Sequence, residues 1–269
     1  MPKVVLITGG SSGIGKAIGE YLHTKNYIVY GTSRNPENHL NSVPFTLLSL
    51  DVTKPASVDA AISEIIEKEG RLDVLVNNAG VGITGPVEET PLEEIRNAFE
   101  INFYGPLHVI KTVLPHMRTQ GSGHIVNITS IAGYMGLPYR GIYSATKGAL
   151  ELITEAYRME TKQFGIQMTN VAPGDFATNI AQGRYHAPIL DNSPYQEAYG
   201  RSVAMMDAHV DAGSDPNQMA KVIHTIIETK HPKIHYKVGA FLQKISVTLK
   251  RILPDKMYER MLMKHYKLK

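Results

Sequence analysis

The chain has 269 residues, no cysteine and a formal net charge of +3. Those totals exclude disulfides, thiolate metal sites and cysteine nucleophiles, and no run of eighteen apolar residues is present to form a spanning helix. With 43 % hydrophobic and 20 % charged residues, the composition is globular, with enough apolar surface for a sizeable core.

The charge is unevenly placed. Phe241 to Lys269 holds eight Lys/Arg and two acids, +6, so the other 240 residues sum to −3. A nucleic-acid-binding chain would carry positive charge on its folded body with interleaved aromatics, so no nucleic-acid partner is expected. The eleven histidines show no metal-ligand spacing, and no metal is expected. Met1-Pro-Lys3 runs straight into a strand-like segment. Together with the missing cysteines, this gives the expectation of a cytoplasmic protein without a signal peptide.

In chain order, apolar runs alternate with helical stretches. Lys3 to Thr8 reads as a buried strand and Gly13 to Lys25 as a helix. Tyr27 to Thr32 and Phe45 to Leu50 are strands. Pro55 to Glu69 is a helix with Thr53 as its N-cap and Pro55 in the first turn. Asp73 to Asn77 is a strand, Leu92 to Met117 a long helical segment, and His124 to Thr129 a strand. Ile142 to Phe164 is a helix and Ile166 to Val171 a strand. Helix Pro216 to Thr229 and strand Ile234 to Val238 close the series. Asp175 to Ser214 shows no clean period.

Strands apolar on both faces that alternate with helices imply a parallel sheet covered on both sides. The expected fold is α/β: a single Rossmann-type doubly wound sheet of about seven strands, with ligands at the carboxyl ends of its strands. Residues 1–240, with a lid at 175–214, form the expected catalytic domain, and 241–269 a basic amphipathic helical extension.

Thr8-Gly-Gly-Ser-Ser-Gly-Ile-Gly15 joins the first strand to the first helix. Gly9 permits a tight turn, Gly13 lets the backbone approach a pyrophosphate, and Gly15 allows close helix–sheet packing. The helix N-terminus then faces phosphate with unpaired N–H groups. At the end of the second strand, where an acid would bind a ribose 2′-hydroxyl, the chain offers Gly31-Thr-Ser-Arg34. Arg34 can pair with a 2′-phosphate and Ser33 can donate to it. The expected cofactor is therefore NADP(H), preferred over NAD(H).

Tyr143-Ser-Ala-Thr-Lys147 puts a phenol and an ammonium on one helix face. A cation beside a tyrosine lowers its pKa, each unit being worth roughly 1.4 kcal/mol, and suits it to pass a proton to a substrate oxygen. Ser130, at the end of the strand before it, can hydrogen-bond the same oxygen. Tyr21 and Lys25 repeat the spacing, but no serine-bearing strand end precedes them.

These pieces together resemble the short-chain dehydrogenase/reductase family, in its non-extended branch, from Lys3 to about Val238. The glycine loop matches at Thr8, Gly9, Gly13 and Gly15, with Ser11, Ser12 and Ile14 between them. Asp51-Val52 match the adenine contact, and Asn77-Asn78-Ala79-Gly80 the motif after the fourth strand. Asn102 matches the helix asparagine, and Pro173-Gly174 with Thr178 the nicotinamide-side turn. The resemblance implies that Tyr143 is the general acid/base and that Lys147 lowers its pKa and binds the nicotinamide ribose. It also implies that Ser130 orients the substrate oxygen and that Asn102 supports a water-linked proton relay. It further implies a homodimer or homotetramer, with Leu92–Met117 and Ile142–Phe164 at the interface. An extended-branch epimerase is disfavoured by the glycine spacing, and a turnover-free sensor by the intact Tyr and Lys.

The substrate loops are expected at Ile131 to Ile142, with Tyr134 and Leu137, and at Phe176 to Met206, with Phe176, Ile180, Tyr185, Met205 and Met206. So apolar a lid suggests a hydrophobic carbonyl or alcohol, steroid-, retinoid- or acyl-like. In the tail, Leu242, Ile245, Leu249, Ile252 and Leu253 recur at helical spacing, as do Met257, Tyr258, Met261 and Leu262, with Pro254 between the two sets. Such a basic amphipathic segment either packs on its own domain or touches an anionic membrane.

Overall fold

The computed structural model describes residues 1–39, 41–177, 183–211 and 213–268, with 207–211 by backbone alone. Among these, seven parallel strands form one sheet. They are β1 (Val4–Ile7), β2 (Ile28–Ser33), β3 (Thr46–Ser49), β4 (Val74–Asn77), β6 (Gly123–Ile128), β7 (Ile166–Pro173) and β9 (His235–Val238), in the order β3-β2-β1-β4-β6-β7-β9. Two short strands, β5 (Ile83–Thr84) and β8 (Tyr185–His186), pair beside it. The helices are α1 (Gly13–Thr24), α2 (Pro55–Glu69), α3 (Leu92–Phe99), α4 (Gly105–Gln120), α5 (Gly141–Thr161), α6 (Gln196–Asp211), α7 (Pro216–Glu228), α8 (Phe241–Ile252) and α9 (Asp255–His265).

Side chains alternate across a strand, and β1 shows what that builds. Val4 and Leu6 enter one core layer with Ile62 of α2 and Val113 of α4. Val5 and Ile7 enter the other with Ile18 of α1 and Ile223 of α7. The sheet is thus buried on both faces, which is why its strands lack a polar side. The order reverses between β1 and β4, so the carboxyl ends of these strands flank a crevice.

Four expectations are corrected. The N-cap of α2 is Lys54, without a side-chain cap bond; Thr53 instead donates from its N and its Oγ1 to Asp51 Oδ1, at 3.0 and 2.8 Å. The Leu92–Met117 segment is not one regular helix: α3 and α4 are joined by a π-helical turn over Glu100–Tyr104. The Asp175–Ser214 stretch carries β8 and α6, whose mixed polar sequence hid their periods. In the tail, Leu249, Leu253, Tyr258 and Leu262 pack on the domain, but Leu242 and Ile252 of the same apolar set are exposed and Val247, outside that set, is buried.

Candidate active site

The glycine loop is built by backbone contact. Gly9 (φ +66°) and Gly13 (φ +53°) adopt left-handed backbone, which favours glycine. A Cβ on Gly15 would lie 2.3 Å from Gly9 O and 2.5 Å from Asn78 Nδ2, so no side chain fits there. Thr8 Oγ1 accepts from the backbone N of Asn78 (2.9 Å) and of Ala79 (3.0 Å). Asn78 Nδ2 donates back to Thr8 O (3.0 Å) and Gly9 O (3.1 Å). The turns after β1 and β4 are thereby clamped together. Ser12 caps α1 without a side-chain bond, leaving the first-turn amides to face outward from the loop. The donor set suits a pyrophosphate: left-handed glycines, a space that a Cβ would fill, and an uncapped helix start.

Gly10, not singled out from the sequence, is equally constrained: its Cβ would lie 2.7 Å from Gly31 Cα. Ser33 and Arg34 lie at the end of β2, where Ser33 Oγ accepts from Asn35 N at 3.2 Å. Burial works against the ionised Asp51 carboxyl, but the Thr53 bonds, with Lys54 and Arg34 nearby, hold it below its ordinary range. Val52 is a core residue under α4. Thr178 and Ile180 lie outside the described residues.

Asn102 sits in the π-helical turn and is fully buried. Its amide clamps the chain after β4, accepting from Val81 N (2.8 Å) and donating to Val81 O (2.9 Å) and Thr146 Oγ1 (3.2 Å). A Cβ on Gly80 would lie 3.0 Å from Asn102 Oδ1 and 3.3 Å from Lys147 Nζ, so these three converge. Lys147 is buried and donates to Ile128 O at 3.0 Å. Burial pulls its ammonium down to about 8, against the opposing pull of Glu151 one turn on. It therefore stays charged at neutral pH, with Tyr143 one turn before it on α5. The Arg140 guanidinium lies 5.4 Å from the Tyr143 ring centre. Ser130 Oγ accepts from Ala132 N at 3.1 Å.

Ser130 and Tyr143 line one cavity of about 420 Å3, together with Ile14, Pro173 and Gly174. Of the expected substrate residues, Leu137, Phe176, Met205 and Met206 line it; Tyr134 and Tyr185 do not. Tyr134 is drawn instead into a polar cluster under the sheet end. Its hydroxyl donates to Glu151 Oε2 (3.0 Å), which also meets His235 Nδ1 (2.8 Å). Tyr185 pairs with Ile83 through the backbone and packs against the cluster of Ile83, Ala132 and Tyr143 beside the cavity.

The remaining wall comes from α8 and α9, through Gln243, Ile245, Leu249, Leu262 and Tyr266 among others. The tail docks on the loop after β6, where Val247 and Tyr258 pack with Ile131 and Met135. Its helical period was visible in the sequence, but nothing local specifies where the helices dock. Among the described residues no group of three or more His, Asp and Glu side chains could hold a metal ion, and no helix is long and apolar enough to cross a membrane.

The model of the short chain dehydrogenase family matches residues 3–188. The chain is 39 % identical over 259 residues to a 3-ketodihydrosphingosine reductase of Bacteroides thetaiotaomicron, covering 96 % of each. It superposes on a short-chain dehydrogenase from Streptomyces avermitilis with a TM-score of 0.85 at 32 % identity, over 99 % of this chain and 97 % of that one. It also resembles ElxO with NADP bound, with a TM-score of 0.75 at 30 % identity, over 88 % and 97 %. The glycine loop on β1, the doubly wound sheet and these matches lead to one conclusion: the chain belongs to the short-chain dehydrogenase/reductase family and is an oxidoreductase acting between CH–OH and C=O.

Proposed function

We propose that the protein is an NADP(H)-dependent reductase of a ketone carried on a long hydrophobic substrate, acting by proton transfer from Tyr143. The observation that carries this reading is the shared cavity: Ser130 and Tyr143 line the same space whose far wall is the apolar side of α8 and α9. A carbonyl seated between the two hydroxyls would leave its chain running along Leu137, Phe176, Leu249 and Leu262. The relative that acts on 3-ketodihydrosphingosine makes a long-chain 3-keto amphiphile the substrate to try before steroid- or retinoid-like ketones.

The nicotinamide cofactor supplies hydride when bound. The chain's own residues supply the rest. Gly9, Ser11, Ser12, Gly13, Ile14 and Gly15 hold the pyrophosphate side, with Asn78, Ala79 and Gly80 along the crevice and Asp51 and Val52 toward the adenine. Ser33 and Arg34 bind the 2′-phosphate. Pro173 and Gly174 would border the nicotinamide. Ser130 donates to the substrate oxygen and Tyr143 protonates it. Lys147 favours the phenolate that remains, and Asn102 holds the Lys147 end of the crevice in shape. The same reading gives a homo-oligomer through α3, α4 and α5, the last of which exposes Leu152 and Met159, two turns apart.

The test is NADPH oxidation against 3-ketodihydrosphingosine, a 3-ketoacyl thioester, a bulky cyclic ketone and a short ketone. The long-chain substrate is expected to show the highest kcat/KM. Tyr143→Phe is expected to lower turnover at least ~100-fold with NADPH affinity unchanged. Substantial turnover in that variant would remove Tyr143 from the acid/base role.

A further inference from the structure

The tail helices have a second face. On α8, Phe241 (70 % exposed) and Ile252 (72 %) project outward, eleven residues and so three turns apart on one side of the helix. Lys244 stands one turn on from Phe241, while the Arg251 guanidinium turns back over the Tyr134 ring, 6.0 Å from its centre. On α9, Met257 (56 %) and Met261 are exposed, interleaved with Lys256, Arg260 and Lys264. Single exposed apolar residues are ordinary, but here they are grouped on adjoining helices and rimmed by cations. This 29-residue segment carries +6, whereas the rest of the chain carries −3.

Two observations bear on what covers this face. First, charge: a second copy seated on it isologously would bring two segments of +6 together. An anionic surface would meet the same charge favourably and accept the apolar ridge between its headgroups. Second, position: Leu242 and Met261 are exposed and also line the cavity that holds Ser130 and Tyr143. The face is therefore continuous with the apolar wall of the cavity.

We infer that the outer face of α8 and α9 docks on an anionic lipid bilayer and sets the rim of the cavity against it, so that a membrane-borne amphiphile enters without crossing water. Docking itself stands on the tail face. The entry route rests also on the long-chain substrate reading proposed above.

The experiment uses the full chain with vesicles of phosphatidylcholine alone and of phosphatidylcholine mixed with phosphatidylglycerol. Two variants are compared, F241S/I252S/M257S and K256E/R260E/K264E, none of whose altered residues lines the cavity. Wild type is expected to sediment with the anionic vesicles, less so at high salt, and weakly with the neutral ones. The charge-reversed variant is expected to bind anionic vesicles roughly 100-fold more weakly. The serine variant should lose at least ~10-fold. Both should keep wild-type turnover of a short water-soluble ketone, which shows that they are folded. Three results would each overturn docking: no sedimentation of wild type with anionic vesicles, equal sedimentation of wild type and both variants, or a drop in oligomer size in the serine variant, which would assign the face to a second copy. A protein that binds vesicles yet reduces no long-chain ketone would instead sink the substrate reading and leave docking in place.

Discussion

Gln243, on the first turn of α8, grips Asp175 just after β7 by both ends of its amide. Nε2 donates to Asp175 Oδ2 at 2.6 Å, and Oε1 accepts from Asp175 N at 3.2 Å. A Cβ on Gly174 would sit 1.9 Å from Gln243 Oε1, so a larger residue there would push the Gln243 amide out of this clasp. The tail is thus tied to the turn that borders the cavity floor. Gln243→Ala is expected to cost about 1–3 kcal/mol of stability, read by urea unfolding. It should raise KM for a long-chain ketone while leaving turnover of a short one near wild type. If KM for the long-chain ketone is unchanged from wild type, the clasp has no part in seating that substrate.

The clasp also marks what a sequence can and cannot disclose. The glycine loop, the β1–α1 join and the Tyr143–Lys147 spacing are local devices, legible in local spacing. The decoy pair shows the same logic from the other side. Lys25 Nζ lies 5.4 Å from the Tyr21 ring centre, an ordinary contact at the end of α1. Tyr134 carries no such local signal: its place is set by Glu151 and His235, 17 and 101 residues away. Apolar period alone cannot say which residues of α8 meet the domain. Val247 meets it and Ile252 does not. Long-range docking is a packing outcome, and it was packing that completed the cavity.

His235 bridges two carboxylates: Nδ1 lies 2.8 Å from Glu151 Oε2 and Nε2 3.0 Å from Glu155 Oε1. The Glu151 bond, outweighing burial, raises the histidine's pKa, with the charges of Glu151 and Glu155 adding to it. A raised pKa means that the folded protein holds the proton more tightly than the unfolded chain. The resulting stability is fully present below the ordinary histidine range and is lost as pH rises through the raised value. His235→Gln is therefore expected to lower Tm most at pH ~5.5, with the gap to wild type closing in alkali. A gap that does not change with pH would show that the pair contributes shape alone.

The 2′-phosphate assignment rests on Ser33 and Arg34 at the end of β2. Ser33→Asp with Arg34→Leu removes a cation and a neutral donor and installs a carboxylate where a phosphate would lie. Charge-assisted bonds of this kind are worth roughly 1.5–3 kcal/mol, or ~10- to 100-fold in kcat/KM. The double variant is expected to shift preference from NADPH toward NADH by at least that factor, with kcat on the preferred cofactor close to wild type. An unaltered ratio would remove both residues from cofactor choice.

Lys147 presents a conflict between stability and use. It is a buried ammonium held by one carbonyl, and burial lowers its pKa from 10.5 to about 8. That shift corresponds to roughly 3 kcal/mol paid by the folded state while the group is charged. Replacing it by methionine keeps the volume, removes that penalty and gives up one hydrogen bond worth about 1 kcal/mol. The penalty is the larger, so Lys147→Met is expected to raise Tm at pH 7 while turnover collapses, a trade seen where function demands an uncomfortable charge. The sign with pH follows from the lowered pKa. Between about 8 and 10.5 the unfolded chain binds more protons than the folded one, so wild-type stability from this group rises across that window. The advantage of the methionine variant should therefore shrink from pH 7 toward pH ~10. A variant less stable than wild type at pH 7 would mean that the Ile128 carbonyl and Glu151 hold the ammonium more firmly than its burial disfavours it.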